Sequence, residues 1–158
     1  MYETSCYTFC VMPKLSDNKK ARFDYEILET FEGGLVLTGA EVKSIKTGRI
    51  QLKGSFLHIR KGELWLKNAF IAKYGPAGPQ PEYDPYQDRK VLVHARQIKK
   101  FIGKSQAEGL SLVPLCIYTK KDLIKIEFAL ARGKKKHEKR DTIKKRDVDR
   151  QMRERMKE

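Results

Sequence analysis

Long apolar runs are missing from this sequence. No stretch approaches the roughly 20 consecutive apolar residues that a membrane-spanning helix needs. The first 13 residues lack the positive start and following apolar stretch of a secretory leader. A cytoplasmic address with no membrane partner is therefore expected. Cysteine is scarce: Cys6, Cys10 and Cys116 form no C-x-x-C pair, and no histidine is spaced as a co-ligand. This points to reduced thiols that hold no metal. Catalytic signatures are absent too, with no Gly-rich phosphate loop and its Lys, no G-x-S-x-G, no H-E-x-x-H and no acidic cluster suited to paired Mg²⁺. His58, His94 and His137 each stand alone in the sequence. The expectation is a protein that is not an enzyme and needs no cofactor.

What is present is positive charge. Thirty-four Lys and Arg face twenty Asp and Glu, a formal net charge of +14 over 158 residues. Such an excess repels itself unless a polyanion relieves it, so nucleic acid is the expected partner. The length suits one folded unit with extensions. Residues 1–13 read unlike the rest, as an N-terminal extension, with Met12 a candidate start. Residues 14–131 read as the folded domain. The last 27 residues, 132–158, hold 13 basic and 6 acidic side chains and only Ile143, Val148, Met152 and Met156 as large apolar ones. That is too little to bury a core, so a basic tail is expected, coil when free and helical when bound.

Within the domain, a period of two predicts a strand over Phe23–Leu28, and Gly33–Gly34 reads as a turn with Glu32 just before it. Thr38 to Glu41 has capping-box spacing, predicting a short helix that turns Val42 and Ile45 inward and ends near Gly48. Phe56–Arg60 and Glu63–Ile71 flank Lys61–Gly62 as a hairpin, with Leu57, Ile59, Leu64 and Leu66 inward. The segment Gly75–Pro85 holds four of the six prolines and reads as a long exposed loop. A strand through Val91–Val93, a helix from Ala95 to Ile102 stopped by Gly103, and a second hairpin of Leu112–Tyr118 and Leu123–Leu130 complete the reading. Cys116 is expected in the core. Six or more short strands with short helices inserted suggest a mainly β fold, a closed antiparallel barrel of the oligonucleotide-binding type. Trp65 reads as a packing residue before a base-stacking one, and His94 and His137 as RNA contacts.

Three stretches, NKKARFDYEILETFEGGLVLTGAEVKS, RKVLVHARQIKKFIGKSQAEGLSLVPL and ALARGKKKHEKRDTIKKRD, resemble the small protein B family, the SsrA-binding proteins of bacteria. The match runs in order from about Asn18 to Asp149. The resemblance implies a barrel that binds the tRNA-like part of transfer-messenger RNA and a tail that enters the empty mRNA path of a stalled ribosome near the decoding centre, in trans-translation. Elongation factor Tu joins the delivery complex, alanyl-tRNA synthetase and the ribosome do the chemistry, and the protein acts as a monomer that supplies placement. It further implies RNA binding by Asn18, Lys19, Glu32, Leu92 and His94. Ribosome contacts of the tail would come from Gly133, Lys134, Lys135, Lys139, Arg140, Ile143, Lys144 and Arg146. Phe23, Glu138, Tyr83 and Gln87 depart from the family pattern, standing where His, Asp, His and Arg are usual. The competing reading is a general single-stranded RNA or DNA binder, which would need a row of exposed aromatics, yet aromatics are 9% of the chain. An RNA-processing enzyme comes third and lacks its cluster.

Overall fold

The computed structural model describes residues 14–79 and 81–135, with Arg140, Ile143, Asp147, Val148 and 150–154 in the tail. Cys6, Cys10, His137, Glu138, Lys139, Lys144 and Arg146 lie outside the described residues. The elements are β1 (Lys14–Asp17), α1 (Lys19–Asp24), β2 (Tyr25–Leu35), α2 (Gly39–Lys46), β3 (Ile50–Gln51), β4 (Phe56–Arg60), β5 (Glu63–Lys67), β6 (Phe70–Ile71), a 3-10 turn at Gly75–Ala77, β7 (Arg89–Leu92), α3 (Ala95–Glu108), β8 (Ser111–Lys120) and β9 (Leu123–Gly133). No described helix is long and apolar enough to cross a membrane.

All pairings in the main sheet are antiparallel, and they return on themselves. The order β8-β4-β5-β7-β2-β9 closes through the β8–β9 hairpin, and β1 adds to the free edge of β8. The seam between β4 and β8 rests on a single pair, Leu57 opposite Leu112. Both hairpins turn as their sequences require, with positive φ at Lys61 and Gly62 and at Lys121 and Asp122. Two consecutive left-handed residues give the turn whose twist matches that of the strands. Side-chain alternation then sends Leu57, Leu64, Leu66, Val91, Ile117, Ile126, Phe128 and Leu130 into one core. At its centre Phe31, Phe101 and Phe128 contact one another with ring centroids 4.7 to 5.9 Å apart. The other face of β8 and β9 is covered by α1, where Ala21, Val113, Leu115, Ala129 and Ala131 make a second small core. Burial on both faces explains why residues 112–118 are apolar almost without interruption.

Four sequence expectations fail here, each for a tertiary reason. Phe23 and Asp24 belong to α1, because Asn18 caps that helix: its side-chain oxygen accepts from the Ala21 N–H at 3.1 Å. Gly33 and Gly34 are not a turn and lie inside β2. A Cβ on Gly33 would stand 2.8 Å from Val91 Cγ1 and 3.1 Å from Val93 Cγ1, so the glycine answers a close approach to β7. Helix α3 runs through Gly103 to Glu108 and stops at Gly109, whose φ is +61°. Glycine inside a helix costs about 1 kcal/mol. Fully buried Phe101 and the ion pairs of Lys100 and Lys104 with Glu29 hold the helix on either side of it. Finally, Asn68 with φ +56° breaks the segment 63–71 into β5 and β6, and β6 pairs with β3.

The segment from Gly75 to the start of β7 is tied down by a buried ion pair that the sequence did not announce. Glu41 and Arg89 are each 2% exposed and meet at 2.8 Å. All five guanidinium donors of Arg89 have acceptors: Glu41, the carbonyls of Ala69, Pro85 and Gln87, and the Tyr83 hydroxyl. Gln87 also donates to Glu41 at 2.8 Å, and Tyr83 to the Ile71 carbonyl at 2.9 Å. Tyr83 and Gln87, the two departures in this loop, therefore close an internal network.

Gly33→Ala should destabilise the fold by on the order of 1–3 kcal/mol, since the added methyl overpacks against β7. Gly39→Ala, with nothing within 4 Å of its Cβ position, serves as the control. Thermal unfolding followed by circular dichroism should show a midpoint lower by several degrees for the first only; equal midpoints would refute the close approach. Cys116 is buried, its thiol donates to Glu127 at 3.0 Å, and burial, then Glu127, push its pKa up to about 12. In a protein with Cys6 and Cys10 changed to Ser, Cys116 should resist alkylation at pH 8 while folded and react fully in denaturant. Rapid reaction in the native state would contradict its protonated, buried state.

Candidate nucleic-acid interface

The register of β7, β2, β9 and β8 decides which side chains share the outer face of the sheet. Gly34 lies opposite Leu92 on one side and Lys125 on the other, and Lys125 lies opposite Tyr118. Because neighbours in a strand alternate, Leu92, Gly34, Glu32, Lys125 and Tyr118 face away from the core that holds Phe31, Val91, Ile126 and Ile117. Leu92 is 54% exposed and so belongs to the surface. His94 follows at the cap of α3, exposed, its N–H donating to the Gln97 side chain at 3.2 Å. Glu32 and Leu92 thus share this face of the sheet, and exposed His94 lies two residues beyond Leu92.

Glu32 does not precede a turn but lies within β2. Its carboxylate accepts from the Tyr118 hydroxyl at 2.5 Å and meets Lys120 at 3.2 Å and Lys125 at 3.7 Å. The Tyr118 bond, followed by the two lysines, holds its pKa below the ordinary carboxylate value, against the opposing effect of burial. Burial first, and Glu32 next, push the Tyr118 phenol upward. A lowered folded-state pKa means that the stability contributed by Glu32 is present above its unfolded value and is lost as pH falls through the folded one. With the two lysines paired to Glu32, the three charged groups sum to +1. Glu127 faces Glu32 across the ladder and is met by Arg22 of α1 at 4.0 Å.

Asn18 and Lys19 lie at the start of α1, against β8. Asn18 is 5% exposed, and its amide donates to the carbonyls of Leu52 at 3.1 Å and Pro114 at 3.0 Å while its oxygen caps the helix. Its polar atoms are committed inside the protein, so it fixes where α1 begins, and the next residue, Lys19, is exposed. Gly133 is the last residue of β9, paired with Tyr25, and the Lys134 N–H donates to the Asp24 carbonyl at 3.0 Å. Farther on, Arg140, Ile143, Asp147, Val148 and 150–154 are helical and exposed, with Arg150 and Glu154 paired at 3.8 Å across one turn.

Outside the seam between β4 and β8 lies a cleft of about 940 Å³, lined by Lys20, Phe56, His58, Lys61, Ile102 and Gln106 among others. Phe56 and Tyr86 are the exposed large aromatics among the described residues. They stand on separate elements, and Trp65 is half-buried on β5. No group of three His, Cys, Asp or Glu placed to hold a metal occurs among the described residues. Sequence reasoning missed Tyr118 as part of this surface; its place follows only from the register that sets Lys125 between it and Gly34.

Comparison with known proteins adds the family. A family model described as SmpB protein matches residues 15–158. The SsrA-binding protein of Thermosynechococcus vestitus is 49% identical over 144 residues, which cover 91% of this chain and 95% of that one. That of Persephonella marina is 47% identical over 138 residues, 87% of this chain and 90% of its own. A solved chain described as "tmRNA-SmpB: a journey to the center of the bacterial ribosome" is 44% identical, with a TM-score of 0.63, covering 77% of this chain and 85% of that chain. By the family model that matches residues 15–158 and by relatives nearly half identical over most of its length, the chain belongs to the SmpB family.

Proposed function

We propose that this chain binds the tRNA-like part of transfer-messenger RNA and places it on stalled ribosomes for trans-translation, its C-terminal tail occupying the empty mRNA path near the decoding centre. The observation that carries the reading is the likeness, at 44% identity, to a chain solved as tmRNA-SmpB at the bacterial ribosome. The ring of six strands is read as a closed barrel of the oligonucleotide-binding type. It forms an RNA-binding domain over 14–131, followed by the tail. Lys19, Glu32, Leu92 and His94 meet the RNA, and Asn18 positions Lys19. Leu92 supplies an apolar contact, His94 and Lys19 supply donors, and the lysines beside Glu32 meet phosphate. Shape recognition of a folded RNA then supplies selectivity that phosphate contacts cannot. The protein binds as a monomer, delivery involves elongation factor Tu, and no bond is made or broken by its own side chains. A general single-strand binder would stack successive bases on a row of aromatics, and among the described residues the two exposed large aromatics, Phe56 on β4 and Tyr86 in the loop before β7, do not form a row along one strand.

The tail acts after capture. Its 27 residues reach about 40 Å as a helix and about 90 Å extended, far enough to enter a channel away from the barrel. Its net charge of +7 suits RNA walls. Gly133, Lys134, Lys135, Lys139, Arg140, Ile143, Lys144 and Arg146 are the residues assigned to that contact.

Two measurements test the reading. Binding of the tRNA-like RNA should weaken steeply with salt: about five neutralised phosphates give a slope of log affinity on log salt of roughly −3.5 to −4.5. A random single strand should bind more weakly, and equal affinity would favour the competing reading. Deletion of residues 136–158, which leaves β9 and the Lys134 bond intact, should keep capture of isolated transfer-messenger RNA within about tenfold while abolishing peptide tagging on stalled ribosomes. Tagging by the truncated protein at the full rate, with RNA saturating, would refute the role of the tail.

A further inference from the structure

We propose that Tyr118 is a positioning residue for RNA capture: its hydroxyl fixes the Glu32 carboxylate and, through it, the ammonium groups of Lys120 and Lys125 in the arrangement that the RNA meets. The inference rests on the reading of Glu32 as part of the RNA interface and extends it to a residue outside that set.

Three strands supply the four groups. Glu32 comes from β2, Lys125 from β9, and Tyr118 and Lys120 from β8. Tyr118 is only 5% exposed, so its ring is held by packing and its hydroxyl cannot wander. A phenol that donates from a fixed position restricts the carboxylate to one rotamer. Packing of the ring alone would account for its burial but not for the aim of its hydroxyl at the Glu32 carboxylate. The carboxylate in turn draws in two lysine heads, at 3.2 and 3.7 Å. A free lysine side chain carries about 2 kcal/mol of rotamer entropy. Heads already gathered around a fixed carboxylate lose less of that entropy when phosphate arrives, which is how preorganisation improves affinity. The groups facing the Glu32 carboxylate are Tyr118 and Lys120 from β8 and Lys125 and Glu127 from β9. With Tyr118 in place the cluster is a spaced pair of cations; without its hydroxyl, the carboxylate is free to swing and the lysines follow it.

The test uses full-length protein and a transcript of the tRNA-like part of transfer-messenger RNA, well below the melting midpoint of every variant. Tyr118→Phe keeps the ring and removes the donor. It should weaken binding about tenfold, as loss of a hydrogen bond to a charged group does. Glu32→Gln should weaken it at least as much, and the double variant should be no worse than Glu32→Gln alone, since the hydroxyl acts only through the carboxylate. A second readout separates positioning from packing. Loss of the Tyr118 bond raises the Glu32 pKa, so on acidification the affinity of Tyr118→Phe should fall off at higher pH than that of the unchanged protein. Titration of the RNA itself is common to both and cancels in the ratio. If Tyr118→Phe binds within twofold of the unchanged protein while Glu32→Gln is tenfold weaker, Tyr118 is a packing residue and the proposal fails with the Glu32 reading intact. If Glu32→Gln binds as well as the unchanged protein, the Glu32 reading fails and the proposal with it.

Discussion

Strand β9 is hydrogen-bonded along nearly its whole length on both sides, to β2 and to β8. This double ladder fixes everything that matters for the surface. A shift by one residue in either pairing would exchange the inner and outer faces of a strand, sending Ile126 and Phe128 to solvent and Lys125 and Glu127 into the core. The core forbids it, because Phe128 packs against both Phe31 and Phe101. Register is thus set by apolar burial on the inside and read out as charge geometry on the outside, where Glu32, Lys125 and Tyr118 meet although 93 residues of chain separate the first two.

The acidic residues of the domain work as counter-ions that organise cations. Glu29 pairs with Lys100 and Lys104 and fastens α3 to β2. Glu63 pairs with Lys90, Glu32 gathers Lys120 and Lys125, and Glu41 closes on Arg89 in the interior. Exposed pairs of this kind contribute only up to about 1 kcal/mol each. Their value lies in where they place positive charge. Breaking the buried Glu41–Arg89 pair is another matter, since a lone buried charge costs on the order of 3–5 kcal/mol.

Local chemistry was legible in the sequence, and long-range approach was not. The hairpins follow from period-two alternation and from Lys61–Gly62 and Lys121–Asp122. Helix α2 follows from the Thr38 and Glu41 capping box, seen as bonds in both directions. Helix α1 was hidden because Asn18 is fixed by carbonyls 34 and 96 positions away, and its residues alternate like a strand. Gly33 reads as a turn until Val91 is known to lie against it. The same division holds for the surface. Glu32, Leu92 and His94 came from resemblance to a family, and the register sets Glu32 and Leu92 on one face of the sheet. Tyr118 could be found only through the register of three strands, and Asn18 proved to be committed inside the protein.

In the proposed function the sheet surface captures transfer-messenger RNA and the tail meets the ribosome. The most direct measurement is ultraviolet crosslinking of the full-length protein in its host, followed by purification and sequencing of the attached RNA. Transfer-messenger RNA should be the dominant species, crosslinked in its tRNA-like part to the face that carries Glu32 and Leu92, with ribosomal RNA attached to the tail. A broad mixture of messenger fragments, with no enrichment of transfer-messenger RNA over its abundance in the cell, would contradict it.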